Sequence, residues 1–257
     1  MDNRGILING KVLHHSDLNI VYEDRWLIVV DKPGGMLAMS TGKAGEVTAY
    51  SLLYDYMRGA ACRKGPQGQR IFIVHRLDRD TSGLLVFAKD PQTKEALQAN
   101  WNEAVQERKY TAILEGHIDD EEGWIETWLY ENPKSMMVHC RPIDSRDLDD
   151  AREGRCRYAE REGLRFASSH CRTIRKGMMD GKPYSMVEFE LETGRKNQIR
   201  VHSQWIGHPI AGDKKYGAAT NPIGRLALHA SSLVFIHPWT GKTMKFISKL
   251  PSSFRKF

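Results

Sequence analysis

The 257-residue sequence has only four cysteines, and their spacing argues against a disulfide framework and a zinc site. They are scattered, and no two of them form a Cys-x-x-Cys motif. Two of them directly follow a histidine, at His139–Cys140 and His170–Cys171. Adjacent side chains on a strand point to opposite faces, so such a pair does not bind one ion together. We therefore expect free thiols.

The sequence also lacks a long apolar run. No stretch approaches the ~18 apolar residues that a membrane-spanning helix needs, and the first residues show no apolar core of a signal peptide. Its 40% hydrophobic and 27% charged residues are typical of a globular protein. We expect a cytoplasmic protein that does not act at membranes.

Nucleotide-binding loops and internal repeats are absent as well. The segment 40–45 contains Ser, Thr, Gly and Lys, but it lacks the spacing of a phosphate-binding GxxxxGK[ST] loop. The formal charge of +6 is moderate. It makes a polyanionic partner such as RNA plausible without requiring one.

The most informative stretch is IFIVHRLDRDTSGLLVFAK, residues 71–89. The apolar runs 71–74 and 84–88 are rich in β-branched and aromatic residues, which predicts two buried strands. A charged, turn-forming segment separates them. A single aspartate in such a loop is more often a turn residue than a catalytic one.

This loop would nevertheless present Asp78 in a setting that suits a nucleophile. Gly83 can adopt the positive φ that a tight connection needs. Asp78 lies between Arg76 and Arg79 in the sequence. Nearby cations favour the ionised form of a carboxylate, which is the nucleophilic form.

The remaining patterns predict a mixed or antiparallel sheet with a few helices, without the alternation of a βαβ array. Asp90 and Pro91 suit the start of a helix. Residues 119–165 are dense in alternating charge, which is typical of solvated surface. Strands are expected at 20–22, 26–30, 109–116, 124–130, 135–140, 168–175 and 184–191, and helices at 49–58, 91–105 and 197–206, the last with Asn197 as its cap.

HRLDRDTSGLLVFAK resembles the signature of the RluA-type pseudouridine synthases, which isomerise uridine in ribosomal and transfer RNA. Three further segments resemble motifs of that family: Lys32-Pro33-Gly34 at a strand end, ETGRKNQIRVHSQWIGHPIAGDKKYG at 192–217, and RLALHASSLVFIHPWTGK at 225–242. The resemblance covers most of residues 21–250, apart from the charged middle. One departure is Lys196–Asn197, where relatives commonly have Thr-His or Arg-His.

The resemblance implies an α+β fold, with residues 21–257 as a single catalytic domain on a mixed, largely antiparallel sheet with flanking helices. Residues 1–20 would be a short N-terminal extension, too short for a separate RNA-binding domain. No cofactor is implied, because the base and the sugar keep their oxidation states. We expect ribosomal or transfer RNA as the partner, no obligatory protein partner, and a monomer.

The resemblance also assigns roles to residues. Asp78 falls at the position of the nucleophile, which could attack C1′ of the sugar or C6 of the base, or promote elimination to a glycal. Arg200 falls at the position of the arginine that pairs with it. Tyr110 would pack against the flipped uracil and could take part in proton transfer. The expected RNA contacts are Arg76, Arg79, Lys109, Arg195 and Lys196.

Two other functions remain open. The first is a non-catalytic RNA-binding protein or chaperone on the same fold, against which the presence of Asp78 argues. The second is a metal-dependent hydrolase that uses Asp78, Asp80 and a histidine. A metal site needs convergent ligands, and His75 would point away from the loop if it continued the preceding strand.

Overall fold

The computed structural model describes residues 6–8, 11–13, 18–43, 46–64, 70–99 and 101–257. The strands are β1 (Ile6–Ile8), β2 (Lys11–Leu13), β3 (Asn19–Glu23), β4 (Leu27–Lys32), β5 (Phe72–Ile73), β6 (Ser82–Ala88), β7 (Val105–Glu115), β8 (Glu122–Glu131), β9 (Val138–Arg141), β10 (Arg165–Met179), β11 (Lys182–Leu191), β12 (Leu228–Ile236) and β13 (Thr243–Ile247). The helices are α1 (Ala49–Lys64), α2 (Pro91–Ala99), α3 (Trp101–Ala104), α4 (Leu148–Arg152), α5 (Arg157–Arg161) and α6 (Gln198–Trp205). Most strand pairs are antiparallel, so the chain has the α+β fold that the sequence predicts.

The chain divides into two compact units, of which the first comprises residues 1–106 and 229–249. Its strands pair in the order β3–β4–β6–β12, with β5 also on β6 and β13 on β12. The β4–β6 pair is antiparallel, whereas β6 and β12 run parallel. All seven residues of β6 are buried, and its Leu84, Val86 and Ala88 pack in one apolar cluster with residues of β4 and β12. The sequence Asn9–Gly10, which is typical of a turn, lies outside the described residues.

The second unit comprises residues 107–228 and 250–257. Its strands pair antiparallel in the order β7–β11–β10–β8–β9. Two different sides of α6 contribute to the packing, because the buried Ile199 and Val201 belong to separate apolar clusters. The core of this unit thus fixes the helix that carries Arg200.

The start of α2 follows the sequence prediction, and the predicted helical stretch forms two helices. The backbone N–H of Thr93 donates to Oδ1 of Asp90 at 2.7 Å, and Pro91 is the first helical residue. The helical stretch predicted through about Val105 is confirmed to within one residue, as the two helices α2 and α3, the second of which ends at Ala104. Val105 is only 8% exposed and begins β7, because its apolar side chain packs in the core of the first unit.

The charged middle contains two helices that the sequence analysis did not predict. Each of α4 and α5 has five residues, of which Ala151 and Ala159 are buried. These alanines pack with Leu164 against Trp128. A helix of five residues is too short to show a helical period of apolar residues. The sequence therefore shows only the dense charge of this segment and not its helices.

Two expectations drawn from absences concern the cysteines and the membrane. Cys140, Cys156 and Cys171 are free thiols, and burial raises the pKa of Cys140 to about 11. In the part of the chain that the structure describes, no helix combines the length and the apolar character needed to cross a membrane.

Candidate active site

Asp78 lies in the loop between β5 and β6 of the first unit. Its side chain is partly exposed, and the neighbouring Leu77 is 5% exposed and anchors the loop in the core. Arg76 and Arg79 are both exposed. The Nε of Arg79 lies 4.0 Å from Oδ1 of Asp80, and both of these side chains are largely in solvent. The loop therefore offers a carboxylate with an arginine on either side in sequence.

A buried lysine at the end of β4 holds the backbone of this loop. Lys32 is fully buried, and its Nζ donates to the carbonyl oxygens of Pro33 at 3.0 Å, Met36 at 2.8 Å and Arg79 at 3.0 Å. The N–H of Gly35 donates to the same Arg79 carbonyl at 2.9 Å. A buried ammonium is stable only when it is hydrogen-bonded. The carbonyl group next to Asp78 in the chain is thus fixed by the end of β4.

The other side of the loop is fixed to β12. Oγ of Ser82 lies 2.8 Å from Nδ1 of His229, and both residues are buried. Gly83 has the positive φ that the sequence predicts, +113°. A Cβ at this position would lie 2.2 Å from the carbonyl oxygen of Ala230, so the two strands approach as closely as only glycine permits.

His75 is held by a backbone hydrogen bond and by stacking on an aromatic ring. Its Nε2 accepts a hydrogen bond from the backbone N–H of Val86 at 3.1 Å, and its ring stacks on Trp101 with centroids 4.7 Å apart. Among the residues that the structure describes, no three or more His, Cys, Asp or Glu side chains are arranged to hold a metal ion. The described residues therefore offer no set of metal ligands for the hydrolase hypothesis.

In the second unit, Tyr110 and Lys109 occupy neighbouring positions on β7. Tyr110 is partly buried against the core and lies opposite Phe189 of β11. The Nζ of Lys109 is within 4 Å of three carboxylates, at 3.4, 3.8 and 3.6 Å from Glu107, Glu188 and Glu190. Partial burial lowers the pKa of Lys109, but these carboxylates outweigh it and raise the pKa above its usual value. A phosphate group would have to compete with them for this lysine.

Arg200 lies on α6 with its guanidinium held by three neighbours. Its Nε and Nη2 donate to the two carboxylate oxygens of Asp213 at 2.7 and 2.8 Å. Its Nη1 lies 3.3 Å from Oδ1 of Asn197, and its Cζ is 5.0 Å from the ring centroid of Tyr216. In the sequence Asp213 is recognisable only as part of a motif, because a carboxylate thirteen residues from Arg200 gives no local sign of pairing.

The predicted capping role of Asn197 is wrong. It precedes α6 in a left-handed conformation, φ +55°, and its side chain makes no capping hydrogen bond. Its amide instead donates to the hydroxyl of Tyr216 at 2.9 Å. Burial raises the pKa of Tyr216 despite this bond. The side chain of Gln198 accepts from the N–H of Arg195 at 2.9 Å and so orders the turn before the helix.

Two further predicted RNA contacts precede this helix. Arg195 and Lys196 are exposed. The Nε of Arg195 donates to the carbonyl oxygen of Phe166 at 3.0 Å, and Lys196 forms an ion pair with Glu131. Both cations retain access to solvent.

A buried histidine fixes α6 to the sheet of the second unit. The nitrogens of His202 lie 3.0 Å from Oγ of Ser169 and 3.1 Å from Oγ1 of Thr127. Burial lowers the pKa of His202 to about 4, so the ring is neutral at pH 7. The position of Arg200 two residues earlier depends on this anchor.

The structure thus places the predicted residues in two separate settings. Arg76, Asp78 and Arg79 share one loop of the first unit, whereas Lys109, Tyr110, Arg195, Lys196 and Arg200 belong to the second. The pairing of Arg200 with Asp78 and the RNA contacts stay predictions.

Comparisons with known proteins agree on one family. The RNA pseudouridylate synthase family model matches residues 26–205. The chain is 35% identical over 237 residues to the uncharacterized RNA pseudouridine synthase YlyB of Bacillus subtilis, covering 91% of this chain and 70% of that protein. It is 34% identical over 246 residues to ribosomal large subunit pseudouridine synthase D of a serogroup A strain of Neisseria meningitidis, covering 91% of this chain and 58% of that protein.

A solved structure shares the fold. Human RNA Pseudouridylate Synthase Domain Containing 1 superposes with a TM-score of 0.69 at 24% identity, over 94% of this chain and 86% of that chain. The fold, the family model and the sequence relatives agree. The chain belongs to the RNA pseudouridylate synthase family and is an isomerase.

Proposed function

We propose that the chain isomerises specific uridines of ribosomal RNA to pseudouridine, with Asp78 as the nucleophile. Relatives named ribosomal large subunit pseudouridine synthase D and C, in Neisseria meningitidis and Vibrio cholerae, favour ribosomal over transfer RNA. The chain spans 58% and 65% of their lengths. A cytoplasmic location is part of this proposal.

The rigid support of the Asp78 loop is the observation that carries the catalytic proposal. Lys32 holds the carbonyl of Arg79, and Ser82 and Gly83 fix the other side of the loop to β12. A reacting group gains most when it is held in place before the substrate arrives.

The reaction replaces one glycosidic bond by another. The bond from C1′ to N1 breaks, a bond from C1′ to C5 forms, the hydrogen on C5 leaves as a proton, and N1 gains a proton. Asp78 makes the covalent step, by attack on C1′ or C6, or promotes elimination to a glycal. All three routes give the same product and require an ionised carboxylate.

The supporting residues take distinct roles in this proposal. Arg200 pairs with the Asp78 carboxylate and orients it through directed N–H donors. The Tyr110 ring packs against the uracil, and its hydroxyl can move the proton from C5. Stacking of a base on an aromatic ring is a common way to hold a nucleotide outside its helix.

Exposed cations would provide the RNA contacts. A stacked base cannot reach Asp78, so the target uridine must leave its stack, at a cost of a few kcal/mol. Arg76 is exposed two residues before Asp78 and is suited to fill the vacated space or hold a phosphate. We assign backbone contacts to Arg79, Arg195 and Lys196, and a weaker one to Lys109.

The test uses ribosomal RNA labelled with tritium at C5 of uridine, since product formation releases this hydrogen. The wild-type chain should release tritium in single turnover, and Asp78→Asn should release none while binding RNA with unchanged affinity. Asp80→Asn is the matched control, because Asp80 lies in the same loop and is mostly exposed. An Asp78→Asn rate within about tenfold of wild type would contradict the covalent role.

The same experiment separates the non-catalytic alternative. An RNA chaperone on this fold would bind the labelled RNA without releasing tritium. A map of pseudouridines in stable RNAs from cells with and without the chain would then identify the substrate position.

A further inference from the structure

We propose that Asp213 is a positioning residue that sets the orientation of the Arg200 guanidinium for catalysis. The role rests on the proposed function, because Arg200 is the group through which Asp213 would act. Asp213 itself makes no contact with the substrate in this proposal.

The contact between the two side chains is bidentate and buried. Nε and Nη2 of Arg200 donate to separate oxygens of Asp213 at 2.7 and 2.8 Å. The Asp213 side chain is 1% exposed and that of Arg200 is 12% exposed. Two parallel hydrogen bonds fix the plane of the guanidinium as well as its distance.

Asp213 is itself held firmly. Its N–H donates to the carbonyl oxygen of Ile210 at 2.9 Å, and its Oδ1 accepts from the N–H of Tyr216 at 3.3 Å. The preceding Gly212 has φ +82°, and a Cβ there would lie 2.3 Å from the carbonyl oxygen of Arg225. The carboxylate therefore sits on a turn that has little freedom to move.

Two more groups restrict the guanidinium from other directions. Oδ1 of Asn197 accepts from Nη1 at 3.3 Å, and the ring of Tyr216 lies beneath Cζ at 5.0 Å. The hydroxyl of the same tyrosine accepts from the amide of Asn197 at 2.9 Å. Asn197, Tyr216 and Asp213 thus form a connected frame around one cation.

The consequence concerns charge as well as geometry. The Asp213 carboxylate largely cancels the positive charge of Arg200 beyond the pair, so Arg200 acts mainly through directed N–H donors. A lysine at this position would offer a point charge without the planar fork. A buried ion pair adds little stability compared with apolar residues of the same volume, which favours an orienting role for this one.

The experiment is a double-mutant cycle on the tritium-release rate, with RNA affinity and thermal unfolding measured in parallel. Asp213→Asn should slow the single-turnover rate by about 10²-fold, the usual effect of a small misplacement of a catalytic group, with RNA affinity nearly unchanged. In the Arg200→Lys background the same substitution should cause almost no further loss. Independent, multiplying losses would overturn the proposal, since they mean that Asp213 does not act through Arg200.

Asn197→Gly provides a second variant that preserves the fold, because glycine accepts the left-handed φ of this residue. It removes the amide contacts to Arg200 and Tyr216 but leaves Asp213 in place. We expect a roughly threefold to tenfold slower rate, the effect of losing one neutral hydrogen bond. A wild-type rate in this variant together with one in Asp213→Asn would also overturn the proposal.

Asp24→Asn is the matched control for a loss of stability alone. Asp24 is a partly buried carboxylate whose Oδ2 lies 3.0 Å from Nε2 of His237 in the first unit. Its variant should unfold at a lower temperature without a change in rate. An active Asp78→Asn or a fully active Arg200→Lys would instead contradict the proposed function, whatever Asp213 does.

Discussion

The Nζ of Lys32 and the carbonyl oxygen of Arg79 lie 3.0 Å apart, although 47 residues separate them in the chain. The contact joins a strand end to the loop of Asp78. It gives a physical reason for the lysine of the Lys-Pro-Gly sequence, because three backbone carbonyl groups surround its ammonium.

Lys32→Met should destabilise the protein and slow the reaction. The substitution keeps most of the volume but removes the Nζ donor from the carbonyl oxygens of Pro33 and Met36, at about 1–3 kcal/mol for each such group, whereas the carbonyl of Arg79 keeps the N–H of Gly35. We expect the free energy of unfolding, measured in urea, to fall by about 3 kcal/mol. Lys245→Met, at an exposed lysine of β13, is the control and should change it by less than about 0.5 kcal/mol. Equal losses of unfolding free energy at the two positions would show that the hydrogen bonds of Lys32 do not stabilise the protein.

Gly83→Ala and Gly42→Ala separate a steric clash from backbone strain. Both glycines have positive φ, +113° and +96°, but a Cβ at Gly83 meets the Ala230 backbone, whereas one at Gly42 has nothing within 4 Å. Gly42→Ala should cost about 1–2 kcal/mol, the usual penalty for a left-handed residue. Gly83→Ala should cost clearly more and reduce activity, because β6 must shift away from β12. Similar unfolding midpoints for the two variants would contradict this account.

The features that the sequence predicts well are local ones. Asp90 and Pro91 determine the start of α2 within four residues. The positive φ of Gly83 instead belongs to strand β6, where the backbone of Ala230 in β12 lies close. The features that the sequence could not predict depend on contacts formed only in the folded chain. Asparagine is a residue type that commonly caps helices. The side chain of Asn197 nevertheless hydrogen-bonds to the hydroxyl of Tyr216 and the guanidinium of Arg200 instead.

The same reason explains why the roles of two motif residues could not be predicted from the sequence. Lys32 and Asp213 are ordinary charged residues at the level of sequence, and a charged residue is usually exposed. Only the folded chain shows that Lys32 is fully buried and Asp213 nearly so. Their roles follow from what they contact, and pattern or spacing alone does not reveal it.

The stability of the protein should fall in mild acid because of His202. Its folded-state pKa is about 4 and its unfolded value about 6.5, so below about pH 6.5 the unfolded chain binds a proton that the folded chain does not. The contribution of neutral His202 to the free energy of unfolding is fully present above about pH 6.5 and is lost as the pH falls towards 4. Between about pH 7.5 and pH 5 this loss removes about 2 kcal/mol from the free energy of unfolding.

His202→Gln should show a correspondingly smaller fall over the same pH range, since glutamine does not titrate. Urea unfolding of both proteins at the two pH values checks this. If their losses are equal, His202 does not remain neutral in the folded state.

Arg76→Ala and Lys109→Ala should differ in their effect on RNA binding. Arg76 is exposed, whereas Lys109 lies among three glutamates. We expect Arg76→Ala to lower the affinity and to reduce the slope of log K against log salt by about 0.7–0.9, the contribution of one phosphate contact. Lys109→Ala should leave the slope nearly unchanged. Arg76→Ala should also lose more activity on folded RNA than on unstructured oligomers, and equal losses on both would argue against a role in base extrusion.

Tyr110→Phe separates the two roles proposed for this tyrosine. Phenylalanine keeps the ring, so packing against the core and against uracil should survive. The hydroxyl is lost, and with it the transfer of the C5 proton. General acid–base groups contribute about 10²–10⁴-fold, and we expect the single-turnover rate of tritium release to fall by that order with RNA affinity nearly unchanged. Tyr110→Ala should lose both the rate and part of the affinity. If Tyr110→Phe reacts at the wild-type rate, the tyrosine serves only in packing, and another base removes the proton.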